Sequence, residues 1–168
     1  MPLPDFVLAG APKSGTSSLF RYIRQHPNIF IPEQKEVSFF GYNYSKGVEW
    51  YQKKFEKCTS EKVVGDATPW YMCDREAVPR QMNDTIPNAK LVFILRDPVD
   101  RAISNYWDDL RNGKLSFAKN LSEVIRNPKV RHTIVECGRY YKHIRRFEKY
   151  FGFDKMMIMT LEELKKEP

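Results

Sequence analysis

The chain is poor in the residues that build metal centres and disulfide frameworks, and it has no segment that could cross a bilayer. Only three cysteines occur, Cys58, Cys73 and Cys137, an odd number with no CxxC or metal-type spacing. They read as small buried or partly exposed thiols. The three histidines, His26, His132 and His143, lack ligand spacing as well, so no metal is expected. No apolar run approaches the roughly 18 residues that a membrane helix needs. Met1-Pro2-Leu3-Pro4-Asp5 puts no basic region ahead of an apolar one and does not read as a signal peptide. Internal repeats and low-complexity linkers are missing too.

What remains is a chain of 168 residues, 42% apolar and 14% aromatic, which suits one globular domain with a core of its own. Its 28 basic residues outnumber 21 acidic ones, for a formal charge of +7. That surplus favours anionic ligands without choosing among nucleotides, sulfated sugars, nucleic acid and membrane surfaces. Nucleic acid is the first rival, but the basic residues are scattered among acids. The close pairs Arg145-Arg146 and Lys165-Lys166 read as solvated helical faces, so no nucleic-acid partner is expected.

Phe6-Val7-Leu8-Ala9-Gly10 is a short apolar run ending in glycine, the pattern of a buried strand. A helix is expected after the loop 11–15, capped by Thr16 or Ser17, with Leu19, Phe20 and Ile23 on its apolar face and His26-Pro27 at its end. Further strands are expected at 28–31, 62–65, 90–95 and 155–160, and helices at 46–57, 75–83, 98–112 and 138–151. Leu91 to Leu95 are apolar at every position, as a strand covered on both faces must be. Asp97 suits an N-cap and Pro98 the first helical position, where its missing N–H costs nothing. The alternation predicts an α/β fold: a P-loop-like parallel central sheet with helices on both faces.

The stretch from Gly10 to Leu19 carries the most information. Successive amides at a strand-to-helix turn, with the positive end of the helix dipole behind them, hold an anion. Lys13 adds a mobile charge, and the hydroxyls of Thr16, Ser17 and Ser18 add donors. The Walker pattern requires lysine after the second glycine; here Gly15 is followed by Thr16, and the lysine precedes it. A magnesium-dependent NTPase also places an acid at the tip of a buried strand. The strand 90–95 ends instead in Arg96, which grips phosphate in bidentate fashion, or pairs with Asp97 or Asp100. Ser104 follows about two turns into the next helix. Two anion sites at two strand tips suit a nucleotide phosphorylated at both ends.

In order, these residues resemble the sulfotransferase superfamily, and within it the carbohydrate, heparan-sulfate-like branch. Pro12-Lys13-Ser14-Gly15-Thr16 resembles the family's 5′-phosphosulfate loop, and Leu95-Arg96-Asp97-Pro98 with Arg101 and Ser104-Asn105-Tyr106 its 3′-phosphate segment. Lys35-Glu36-Val37-Ser38-Phe39-Phe40 is similar to the stretch carrying the catalytic base. Gly65-Asp66-Ala67-Thr68-Pro69-Trp70-Tyr71, Gly138-Arg139-Tyr140 and Thr160-Leu161-Glu162-Glu163-Leu164 also match in order, so the likeness runs from about residue 5 to the end.

The resemblance implies transfer of a sulfuryl group from 3′-phosphoadenosine 5′-phosphosulfate (PAPS) to a hydroxyl or amine of an acceptor, a glycan in that branch. It implies Glu36 and Lys13 as catalytic residues. Lys13, Ser14, Gly15, Thr16, Ser17, Ser18, Arg96 and Ser104 become the cofactor-binding set. Asp66 is a second carboxylate, expected to orient Lys13 or a substrate hydroxyl. The stretch from Phe39 to Tyr44 is suited to line an acceptor cleft, with core packing the alternative for Phe39 and Phe40, and Glu36 is either the base or a surface acid paired with Lys35. Two departures stand out. Ala67 replaces a lysine common in glycosaminoglycan-modifying members, and the pattern breaks off at Lys166-Glu167-Pro168, so a single domain incomplete at its C-terminus is expected. Carbohydrate-branch members work in the Golgi lumen; without that branch, a cytoplasmic enzyme is expected. The alternatives are a P-loop-type nucleotide kinase or NTPase, and a PAPS-binding fragment without catalysis.

Overall fold

A run such as Val7-Leu8-Ala9 survives in a folded chain only where both faces of its strand are covered, and all three side chains are fully buried. In the computed structural model, which describes residues 1–116 and 120–166, that run forms the central strand β1 (Phe6–Gly10). Glu167 and Pro168, at the expected break in the family pattern, lie outside the described residues. The chain continues as α1 (Thr16–Ile23), β2 (Ile29–Phe30), α2 (Val48–Gln52), β3 (Val63–Ala67), α3 (Val78–Thr85), β4 (Lys90–Leu95) and α4 (Pro98–Arg111). It ends with α5 (Leu121–Val124), α6 (Pro128–Ile134), α7 (Tyr140–Phe151), β5 (Met156–Thr160) and α8 (Leu161–Lys166). The expected α/β fold is observed: five strands, all parallel, in the order β2-β3-β1-β4-β5. One face buries Val7, Ala9, Leu91 and Phe93 under Phe147 of α7 and Met82 of α3; the other buries Leu8 and Ile94 under Phe20 of α1 and Leu164 of α8.

This strand order positions the site. From β1 the chain first builds outward on one side (β3, then β2 at that edge) and then crosses to β4 and β5 on the other. The direction reverses between β1 and β4, and in open α/β sheets ligands bind beyond the carboxyl ends of the strands at such a switch point. Lys13 follows β1, and Arg96 follows β4.

Several boundaries differ from the sequence reading for local reasons. The α1 N-cap is Gly15 in a left-handed conformation (φ 87°), so neither Thr16 nor Ser17 caps it and their hydroxyls are turned to other use. The strand expected at 28–31 shrinks to two residues at a sheet edge, and the helix expected over 46–57 is broken into tight turns on either side of α2. By contrast β4 has the expected bounds, and α4 opens as expected. The Asp97 carboxylate accepts from the amides of Val99 and Asp100, both at 2.9 Å, with Pro98 at the first helical position.

Two side-chain expectations are corrected here. Cys73 and Cys137 form a disulfide, their Cα atoms 5.2 Å apart, and Cys58 is left as the free thiol. The turn after β3 and the turn before α7 pack side by side, a contact across 64 residues that spacing alone does not reveal. In the chain-entropy picture a loop of that size is worth about 4 kcal/mol. Chemical reduction is therefore expected to lower the unfolding free energy measured in urea by roughly 2–4 kcal/mol. Arg146 is no solvated charge either. It is buried, donating to the carbonyls of Asp74 (3.1 Å) and Arg75 (2.6 Å) and pairing with Glu76 at 3.0 Å. Arg145 does stay outside, paired with Glu148.

Candidate active site

Loops leaving the tips of β1, β3 and β4 enclose a cleft of about 600 Å³ lined by Lys13, Gly15, Thr16, Ser17, Ser18, Lys35, Glu36, Arg96 and Ser104, with Trp70, Asp108 and Lys114. Lys13 and Arg96 thus share one cavity. Arg96 reaches the loop directly, an Nη1 group lying 3.5 Å from the Lys13 carbonyl, while its Nη2 stands 3.8 Å from Asp100. The alternative ion-pair role raised for Arg96 is therefore present as well, but the pair is solvent-facing and weak. Tyr140 of α7 donates to the Arg96 carbonyl at 2.9 Å and fixes the backbone at that strand tip.

The loop itself holds a demanding conformation. Lys13 (φ 68°), Glu36 (φ 67°) and Ser38 (φ 52°) all adopt left-handed backbone angles, and the first two line this cleft. Non-glycine residues held this way each cost on the order of 1 kcal/mol or more, and such strain concentrates at functional sites. At Gly15 (φ 87°) an added Cβ would also stand 2.5 Å from the Leu161 side chain of α8, so the turn accepts only glycine.

Of the expected set, every member except Ser14 lines the cleft. The Ser14 side chain is fully buried and does not reach the cleft. Asp66 does not orient Lys13, whose ammonium pairs with Asp108. Fully buried, Asp66 accepts from Tyr51 Oη (2.8 Å), Thr68 Oγ1 (2.8 Å) and Tyr71 Oη (3.1 Å). Burial raises its carboxyl above the ordinary aspartate range, against the pull of those three donors. Tyr51 and Tyr71 are pushed well above the phenol range, by burial first and by the Asp66 charge second.

The network carries the Glu36 loop. The amide of Phe39 donates to Tyr71 Oη (2.8 Å), that of Ser38 to Thr68 Oγ1 (3.3 Å), and that of Glu36 to the Ala67 carbonyl (2.9 Å). Phe39 and Phe40 are fully buried among Tyr44, Tyr51 and Tyr71, which decides for core over cleft lining. Arg101 is likewise withdrawn from the 3′-phosphate segment. Wholly buried, it donates to Asn105 Oδ1 and to the carbonyls of Thr133 and Ile134, tying α4 to α6.

Sequence reasoning missed four residues of the cleft. Lys13 Nζ stands 2.9 Å from Asp108, four positions beyond Ser104 and so on the same face of α4, a spacing that could have flagged it. Lys35 donates to Ser17 Oγ (2.9 Å) and Thr16 Oγ1 (3.5 Å) and lies 3.9 Å from Glu36. Burial lowers its ammonium from the ordinary lysine value; the Glu36 carboxylate offsets part of that, and Lys13 adds to it. Trp70 lies in the matched stretch 65–71 but was not singled out, and Lys114 carried no sequence signal.

A model of the sulfotransferase domain matches residues 3–168. The chain belongs to the sulfotransferase family. This sulfotransferase chain is similar to the membrane-associated sulfotransferase kil1 of Dictyostelium discoideum, 44% identical over 107 residues, which is 62% of this chain and 22% of kil1. The bifunctional heparan sulfate N-deacetylase/N-sulfotransferase 1 of Caenorhabditis elegans is 32% identical over 99% of the chain and 21% of its own length. The mouse heparan sulfate glucosamine 3-O-sulfotransferase 5 is 30% identical over 99% of the chain and 50% of its own length. The chain therefore spans a fifth to a half of these relatives. Among solved structures, a sulfotransferase from Alicyclobacillus acidocaldarius superimposes with a TM-score of 0.82 at 29% identity, covering all of this chain and 77% of that one.

Proposed function

We propose that this chain is the donor-binding and catalytic part of a PAPS-dependent sulfotransferase that acts on a glycan. The observation that supports this most is that Lys13 and Arg96, on either side of the sheet's switch point, line one cleft. The residues fit a nucleotide phosphorylated at both ends. Amides of the turn 14–17 and the α1 N-terminus hold the 5′-phosphate with Lys13 beside it, and Arg96 with Ser104 takes the 3′-phosphate. When bound, PAPS supplies a sulfuryl group on a good leaving phosphate.

Lys13 exchanges Asp108 for that phosphate and balances the charge that grows on its departing oxygen. Glu36, at the cleft margin, accepts the proton of the acceptor hydroxyl or amine as its oxygen or nitrogen bonds to sulfur. Lys35, between the Ser17 and Thr16 hydroxyls and Glu36, is placed to hold both the loop and the base. The Cys73–Cys137 disulfide supports an oxidising compartment, which agrees with the Golgi lumen of the carbohydrate branch.

Calorimetry tests the reading. Adenosine 3′,5′-bisphosphate is expected to bind without magnesium, and ATP to bind far more weakly. Arg96→Ala is expected to cost about 1.5–3 kcal/mol toward the bisphosphate, roughly ten- to a hundredfold, and to leave AMP binding unchanged. Equal losses for both ligands would show that Arg96 does not read the 3′-phosphate.

A further inference from the structure

Three asparagines of the chain stand two residues before a serine or threonine with no proline between: Asn43-Tyr44-Ser45, Asn83-Asp84-Thr85 and Asn120-Leu121-Ser122. This is the acceptor pattern for N-linked glycans, which are bulky and polar and belong on open surface. The sequence qualifies all three equally. Their surroundings separate them.

Asn43 is half-buried, and its Nδ2 donates to the carbonyls of Ser38 (3.0 Å) and Val37 (3.4 Å), closing the loop that carries Glu36. A sugar replaces one of the two hydrogens on that nitrogen and stands where the loop closes. Asn83 is half-buried within α3, and the Thr85 hydroxyl of its motif donates back to the Gln81 carbonyl at 2.8 Å. Neither position offers room for a large polar group without disturbing what is packed there.

Asn120 and Ser122 are both exposed. Asn120 caps α5: its Oδ1 accepts the Glu123 amide at 3.0 Å, while its backbone amide donates to Glu123 Oε2 at 2.9 Å. This capping box uses only the side-chain oxygen and the backbone. Nδ2, the atom that takes a sugar, makes no hydrogen bond among the described residues, so the cap and the modification are compatible. Asn120 does not line the donor cleft.

On the compartment reading proposed above, which rests on the Cys73–Cys137 disulfide, we infer that Asn120 is an N-glycosylation site. The sugar donor is a lipid-diphosphate-linked oligosaccharide, used by a membrane-bound oligosaccharyltransferase of the secretory lumen. Nδ2 bonds to the sugar C1 as the bond from C1 to the diphosphate oxygen breaks. The lipid diphosphate leaves with the electron pair, and the amide proton passes to a base of the transferase. The Asn120 Oδ1 stays free to hold the Glu123 amide.

The test is expression of the full chain behind a secretory leader in eukaryotic cells, followed by peptide N-glycosidase in water enriched in heavy oxygen. That amidase leaves a labelled aspartate wherever a sugar was attached, and peptide mass spectrometry locates it. The label is expected at residue 120, with a gain in gel mobility on deglycosylation. Ser122→Ala keeps the cap and removes the hydroxyl that the pattern requires, so label and mobility change are expected to be lost; Ser122→Thr is expected to restore them. Affinity for adenosine 3′,5′-bisphosphate is expected to be the same with and without the sugar. A secreted chain whose disulfide has formed but whose Asn120 carries no label overturns the inference and leaves the compartment reading standing, as does a label at Asn43 or Asn83 without one at Asn120. A secreted chain in which Cys73 and Cys137 stay unpaired sinks the compartment reading, and the inference with it.

Discussion

Replacing Glu36 with glutamine is expected to cut turnover about 10²–10⁴-fold in the catalytically complete protein, with bisphosphate affinity unchanged. Glutamine keeps the size and polarity of the side chain and removes only its ability to take a proton. The left-handed backbone at residue 36 and the hydrogen bond from its amide to the Ala67 carbonyl do not depend on the side chain, so the loop keeps its course. The Lys35 ion pair is lost, but at 3.9 Å and partly exposed it contributes little. Steady-state kinetics separate the outcomes: a fall in kcat with steady KM for PAPS marks the base, whereas a rise in that KM alone would make Glu36 a binding residue. Turnover equal to the parent's would leave it as a surface acid paired with Lys35.

The fold was legible because its signals are local. Leu91 to Leu95 could only be a strand covered on both faces, and Asp97-Pro98 could only open a helix; both hold within a residue. That eight of the nine expected residues share one cleft was legible for a similar reason, since Gly15, Arg96 and Ser104 sit at strand tips or one or two turns beyond them, where chain order dictates position. What escaped were side-chain contacts between segments far apart in the chain. Cys73 meets Cys137, Arg146 meets the carbonyls after residue 73, and Arg101 meets those of α6, over separations that carry no periodic signal.

Asp66 shows the same limit from the other side. A carboxylate in a motif beside the phosphate loop reads as part of the chemistry, yet its neighbours are two phenols and a hydroxyl, Thr68 and Tyr71 from its own motif and Tyr51 from α2. Its function is to orient those hydroxyls: each donates to Asp66, so the oxygens of Tyr71 and Thr68 turn their lone pairs toward the amides of Phe39 and Ser38. Asp66 is in this sense a positioning residue for the loop that carries Glu36.

That arrangement makes Asp66→Ala the most damaging single substitution expected for stability. Three buried hydroxyls lose their acceptor at once, each at about 1–3 kcal/mol, and a net loss of roughly 3–5 kcal/mol in urea unfolding is expected after local relaxation. Asp66→Asn keeps the volume but turns one of the two acceptor oxygens into an NH2 that faces hydroxyl donors, and it gives a sharper readout through pH. Because burial raises the folded-state carboxyl above its unfolded value, the folded protein holds the extra proton in the interval between the two. Stability from this group is therefore fully present below the ordinary aspartate value of about 3.9 and declines as pH rises through the raised one. In Asp66→Asn that decline disappears, so the gap between parent and variant stabilities changes in the interval from the ordinary aspartate value up to the raised one and is flat above it. A gap independent of pH throughout would mean that Asp66 titrates normally and that its three hydroxyl donors offset the whole cost of burying its charge.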